Sequence, residues 1–197
     1  NGMGRLAELP LYISDSSSVN ILEIKAVARR LKAEGKLDFM MIDYLQLINP
    51  TAGSKKSREQ EISEISRSLK IIAKELNIPI VTLSQLSRSV EQRTDKRPIL
   101  SDLRESGAIE QDADMVLFVH RPEYYHIFED DKGNDLHGMA QIIIAKHRKG
   151  ATGDVLLTFK GQYTRFENPD DTPSQPALPD DGGGLIGSRM NDEPMPF

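Results

Sequence analysis

Residues 58 to 84 restrict the possible folds of this chain more than any other stretch. Ile62, Ile65, Leu69, Ile72, Ala73 and Leu76 recur with a 3.6-residue period, the stripe of a helix buried on one side. The helix is expected over roughly 58–77, and "IPIVTLS" (78–84) follows it at once. A strand that is apolar at consecutive positions is covered on both faces, as in a parallel sheet. The order upstream is the same. "LYIS" (11–14) reads as a short strand, and Asn20 with Glu23 forms a capping-box pattern. Ile24, Val27, Ala28 and Leu31 keep helical spacing until Gly35 ends the run. The next strand is expected over 38–43, and the polar loop "NPTAGSKKSRE" leads from it to the long helix. "MVLFVH" (115–120), "AQIIIAKHR" (140–148), "DVLLTFK" (154–160) and "YTRF" (163–166) then read as strands, the last three with no helix between them. The pattern predicts an α/β fold, a mainly parallel sheet flanked by helices and finished by antiparallel strands.

The 197 residues suffice for one substantial domain, expected over 1–167. Beyond it, 168–197 includes "PDDTPSQPALPDDGGG", which cannot bury a core and is expected to be a disordered acidic tail. The chain has no cysteine, which excludes a disulfide scaffold and thiolate metal sites. It contains no apolar run of about 20 residues and no basic-then-apolar leader, so a cytoplasmic protein without a membrane partner is expected. The net charge of −5 lies entirely in 168–197, leaving 1–167 neutral. Within that neutral body, 84–104 carries Arg88, Arg93, Lys96, Arg97 and Arg104 against Glu91, Asp95 and Asp102. Such a local basic segment is either a solvated loop or a surface for a phosphate backbone.

"FMMIDYLQL" (39–47) sets four apolar side chains in a row and then Asp43. Open parallel sheets bind ligands at the carboxyl ends of their strands, and the neighbouring core strand ends in Ser84-Gln85. An aspartate there suits a water-mediated Mg²⁺ site beside nucleotide phosphates, and a glutamine suits γ-phosphate sensing or water orientation. Each residue alone is equally compatible with an ordinary strand end.

"MMIDYLQL", "SRSLKIIAKELNIPIVTLSQLSRSVEQRTDKRP", "SDLRESGAIEQDAD" and "IIIAKHRKG" occur in that order. Together they resemble the carboxyl-terminal motor domain of the DnaB-family replicative DNA helicases, over roughly residues 5–167. The resemblance implies a RecA-like fold and a homohexamer that uses ATP and Mg²⁺ to move 5′-to-3′ on single-stranded DNA. Primase and a helicase loader are implied partners. It also implies roles for individual residues. Asp43 supports the metal, and Gln85 couples the γ-phosphate to the DNA-binding loops. Arg104, Glu105 and Gly107 belong to the loop that holds the DNA backbone, and Arg93, Lys96 and Arg97 of the same basic segment are also expected to bind DNA. Lys146 and Arg148 reach into the neighbouring subunit's ATP site. Backbone grip of this kind is independent of base sequence, and no aromatic residue lies within 84–114 to stack on bases.

The family's phosphate-cradling pattern, G-x-x-x-x-G-K-[ST], occurs nowhere in these residues; "EGKL" (34–37) lacks its first Gly and its hydroxyl. The resemblance places that loop and the catalytic glutamate upstream, so the chain is expected to be part of a longer helicase and inactive alone. The alternatives are a stand-alone binding module that lost its phosphate loop, and a recombinase or clock-protein branch of the RecA-like superfamily. "DLRESGAIEQDAD" and "KHRKG" favour the helicase over that branch. The closing "MNDEPMPF" resembles the acidic, Phe-terminated peptide of single-strand DNA-binding proteins, so Phe197 is either a partner contact or the end of a solubilising tail.

Overall fold

Among the described residues, the stripes and caps above build three α-helices of six or more residues and six strands. A computed structural model describes residues 4, 8–16, 18–50, 56–130 and 132–169, with backbone alone at 104–106. Helix α1 (Ile21–Ala33) opens with the expected capping box: the Asn20 side chain accepts from the Leu22 and Glu23 amides, and the Glu23 carboxylate accepts from the Asn20 amide. It ends before Gly35, whose φ of +68° favours glycine. Helix α2 (Arg58–Leu76) carries a second reciprocal box, Ser57 with Gln60. That S-x-x-Q spacing stands in the sequence but was not among the expected caps.

Strands β1 (Met40–Ile42) and β2 (Ile80–Thr82) pair in parallel, Met41 opposite Val81. Helix α2 connects them, as the strand–helix–strand order requires. Its residues Ile62, Ile65, Leu69 and Ile72 are buried with Ala28 of α1, Leu45, Ile48 and Ile78 in one core. Helix α3 (Gly107–Asp112) adds Ile109 to that core. Strands β3 (Met115–His120), β4 (Met139–His147), β5 (Gly153–Lys160) and β6 (Arg165–Glu167) form an antiparallel sheet in that order. A second core, Leu103, Val116, Phe118 and Ile143, joins this sheet to the turn that precedes α3. The architecture has the expected parts: a parallel sheet, flanking helices and closing antiparallel strands.

Two expectations need correction. "LYIS" is not a strand; Leu11, Tyr12 and Ile13 are exposed and extended, with no strand to pair with among the described residues. The continuous apolar character of 78–84 does not reflect burial on both faces, because Val81 and Leu83 are 42% exposed on the face shared with Met41. In β3 the same alternation leaves Met115, Leu117 and Val119 exposed while Val116, Phe118 and His120 are buried. The acidic tail from 170 onward, Phe197 included, lies outside the described residues. Among the described residues no helix is long and apolar enough to cross a membrane.

Adjacent positions on α2 give a direct test of this packing. Ile72 is 1% exposed and Ile71 is 52% exposed. In urea titrations Ile72→Ala is expected to lower stability by about 2–5 kcal/mol. Ile71→Ala should stay within about 0.5 kcal/mol of the parent.

Candidate functional site

The carboxyl ends of β1 and β2 lie side by side, joined beyond their last ladder pair by the Leu83 amide donating to the Ile42 carbonyl (2.9 Å). Asp43 follows β1 directly; it is exposed, and its peptide to Tyr44 is cis. Among the described residues nothing bonds its carboxylate. Gln85 is also exposed, and its position is set by a residue that sequence reasoning missed. Gln46, in the 3-10 turn after Asp43, accepts from the Gln85 amide (3.3 Å). Its Nε2 donates to Ser84 Oγ (3.0 Å) and to the Gln85 carbonyl (3.4 Å). The Gln46 carbonyl in turn accepts from Arg58 at the start of α2. The sequence signal was weak: one more polar residue, Gln46, within the apolar run Leu45–Ile48.

This pair of strand ends suits a nucleotide's metal. Mg²⁺ is usually held by one or two carboxylates plus water and phosphate oxygens. A single uncommitted carboxylate beside a polar amide is such a donor set. No group of three or more acidic or imidazole side chains that would form an all-protein metal cage exists among the described residues.

Lys146 and Arg148 meet at the other end of the short helix α3. Lys146 Nζ donates to the Glu110 carbonyl and, at 3.5 Å, to that of Gln111. Arg148 donates to the same Gln111 carbonyl (3.1 Å), and its backbone amide donates to the Asp114 carbonyl (2.8 Å). The last carbonyls of a helix have no partner within it, so cations there satisfy them. Both cations converge on the end of α3, although β4 ends at His147 and Arg148 stands just beyond it. Arg148 is exposed and Lys146 half-buried. The Asp114 carboxylate accepts from Lys70 and lies 3.6 Å from Arg148 Nε. The Lys70 bond holds its carboxyl below the usual range, with Arg148 adding a smaller effect.

The basic segment 84–106 folds back on itself. Arg93 donates to both Asp102 carboxylate oxygens (2.8 and 2.5 Å) and to the Arg97 carbonyl. Arg97 grips Asp154 of β5 with two bonds of 2.7 Å and Gln141 of β4 at 2.7 Å. Lys96 donates to the Glu91 carbonyl. All three expected DNA-facing cations are therefore engaged within the chain. The side chains of Arg104 and Glu105 lie outside the described residues. Gly107 is exposed, and apart from its chain neighbours no described atom stands within 4 Å of where a Cβ would project. Asp102 is 2% exposed, and Arg93 holds its carboxyl below the usual range, with the Ile99 amide assisting. Burial, and after it the Arg97 charge, lowers the pKa of His120.

Comparison with known proteins gives a consistent result. The profile of the DnaB-like helicase C terminal domain matches residues 1–168. The replicative DNA helicase DnaB of Geobacillus stearothermophilus is 52% identical over 166 residues, 84% of this chain and 36% of that protein. The replicative DNA helicase DnaC of Bacillus subtilis gives the same identity and coverage. This chain therefore spans about a third of the length of these relatives. Among solved structures, an isolated ATPase domain superposes with a TM-score of 0.76 at 45% identity, covering 84% of this chain and 57% of that one. A DnaB-like replicative helicase solved with its primase interactions gives 0.75 at 45%, covering 84% and 40%.

The site generates two expectations. Gln46→Ala removes hydrogen bonds to Ser84 and Gln85 worth about 1 kcal/mol each, and urea titrations should show stability lowered by about 1–3 kcal/mol. Asp102 has a depressed folded pKa, so its contribution to stability is complete above the unfolded carboxylate range and is lost as pH falls through the folded value. Stability measured from roughly pH 5 down to pH 3 should therefore fall less steeply in Asp102→Asn than in the parent.

Proposed function

This chain belongs to the DnaB-like helicase C-terminal domain family, and from that premise we propose that it is part of a homohexameric, ATP-driven replicative helicase moving 5′-to-3′ on single-stranded DNA. The observation that carries this reading is the adjacency of an uncommitted Asp43 carboxylate and an exposed Gln85 at two parallel strand ends.

Asp43 is the residue that would hold Mg²⁺ beside the phosphates of ATP, and the metal would supply charge neutralisation at the phosphoryl oxygens. The Gln85 side-chain NH2 would donate to a γ-phosphate oxygen, and Gln46 holds the Gln85 backbone that carries it. Because Gln85 opens the segment that leads to the turn at 100–106, a change at the nucleotide reaches the DNA side along one stretch of chain.

Arg148, and with it Lys146, serves the ATP of the neighbouring subunit. In this structure both donate to neutral carbonyls, and Arg148 also lies 3.6 Å from the Asp114 carboxylate that Lys70 already holds. A phosphate offers charge-assisted bonds roughly twice as strong, so exchange of partners is favourable when that subunit presents ATP. A cation so placed stabilises the transferred phosphoryl group.

Arg104 and the backbone at Gly107 grip phosphates of single-stranded DNA. Glu105 repels phosphate and is assigned to a loop amide or a neighbouring subunit. Of the other cations of the segment, Lys96 donates to a neutral carbonyl and leaves its positive charge for DNA, while Arg93 and Arg97 are neutralised by Asp102 and Asp154. The polypeptide of these 197 residues, which contains no phosphate-loop pattern, is expected to turn over no ATP by itself. Primase and a loader are the proposed partners, and the cytoplasm the proposed location.

The experiment is Arg148→Ala in the full-length protein. Hexamers and ATP binding should persist while turnover falls on the order of 10³-fold, as read by native mass, nucleotide titration and phosphate release. Wild-type turnover would sink the assignment.

A further inference from the structure

Asp102 stands two residues before Arg104, and it is among the most buried charged groups of the chain. Its carboxylate takes both arms of the Arg93 guanidinium (2.8 and 2.5 Å), the Ile99 amide (2.8 Å) and, at 3.5 Å, the Ser89 hydroxyl. Its backbone is engaged as well. The Asp102 carbonyl accepts from the Ser87 amide (2.9 Å), and its own amide donates to the Ile99 carbonyl (2.9 Å). These bonds close residues 87–102 into a loop that opens and ends beside the same carboxylate. Arg93 also caps the Arg97 carbonyl, and Arg97 is fixed to Asp154 and Gln141 on the antiparallel sheet. Leu103, the next residue, is buried against that sheet in the second core, while Ile109 is buried in the first. The stretch 104–108 is thus suspended between two cores, with Asp102 fixing the direction in which it leaves the sheet.

We infer that Arg93 and Asp102 form a positioning pair for the DNA-gripping turn, with Arg97 anchoring the pair to β4 and β5, and that Arg93 does not itself contact DNA. The inference rests on the assignment of Arg104 and Gly107 to the DNA backbone. The physical argument is one of occupancy and shape. A guanidinium presents a rigid fork, and here two of its nitrogens are spent on a carboxylate and a carbonyl that are themselves held. Turning that fork to a phosphate would leave the Asp102 charge buried and unpaired, which is costly. A positioning pair and a direct contact also differ in salt dependence. Each phosphate neutralised by a cation steepens the fall of log affinity with log salt by about 0.7 for single strands. A group that only aims other groups changes affinity without changing that slope.

The test uses the full-length helicase and a fluorescein-labelled oligo(dT), with anisotropy titrations over a series of salt concentrations. Asp102→Asn removes a charge-assisted contact and is expected to raise Kd at least about tenfold. Its salt slope should match the parent, and its DNA-free ATP turnover should stay within about twofold of it. Arg93→Lys separates the two roles even if Asp102→Asn assembles poorly. Lysine keeps a point charge able to hold a phosphate but loses the fork, so a positioning role raises Kd about fivefold or more. A near-parental Kd in Arg93→Lys, with a slope shallower by about one contact in Arg93→Ala, would overturn the inference. Arg104→Ala reports on the underlying assignment separately. If it leaves Kd unchanged while Asp102→Asn raises it, the gripping residue is misassigned and the pair stands. If Arg104→Ala raises Kd and Asp102→Asn does not, the pair alone is refuted.

Discussion

The buried stripe of α2 is the interaction on which the remaining geometry depends. Ile62, Ile65, Leu69 and Ile72 are each under 5% exposed, and removing such a side chain from water is worth about 1.5–3 kcal/mol. The same helix sets the parallel register of β1 and β2, receives α1 through Ala28 and holds α3 through Ile109. Its first turn fixes the Gln46 carbonyl through Arg58, and Lys70 farther along binds Asp114. Groups proposed for nucleotide, for the neighbouring subunit and for DNA are therefore all referenced to one rigid rod about 29 Å long at 1.5 Å per residue.

Helix α3 brings two of those groups within a short distance. Its first residue is Gly107, and its last carbonyls accept from Lys146 and Arg148. At 1.5 Å per residue its six residues span about 9 Å. A helix of that length is stabilised by what holds its ends rather than by its own propensity. Here the holders are Asp102 with Leu103 before it and the two cations after it.

The elements that were legible in the sequence are those whose signal is local. The helical period of 58–77, the Asn20–Glu23 box and the turn at Gly35 each depend on residues within a few positions of one another. β3 was legible for the same reason, since six apolar-rich residues between polar neighbours leave little choice. "LYIS" failed because a strand is defined by its partner, and local apolar character says nothing about whether one is adjacent. The Asp43 and Gln85 strand ends were found by pattern. Gln46 was not, because the bond between it and Gln85 spans 39 positions. Arg93 and Arg97 illustrate the same limit. Counted along the chain they are two positive charges on a basic segment; in space one faces Asp102, nine residues away, and the other Asp154, fifty-seven away. Net charge is additive along a sequence, whereas pairing is decided by the fold.

The exposed side of β3 has a practical bearing on handling the polypeptide. Met115, Leu117 and Val119 line one face of a strand that, among the described residues, occupies the end position of its sheet and has no strand on its outer side. A hydrophobic terminal strand is a template on which a second copy can add its own. The colloidal behaviour of the isolated chain will then depend on electrostatic repulsion from its five net negative charges. Repulsion of that kind weakens as salt shortens the Debye length. Dilute, low-salt buffers above pH 7 are accordingly the conditions in which this polypeptide stays dispersed, and concentrated saline samples are those in which β3 edges meet.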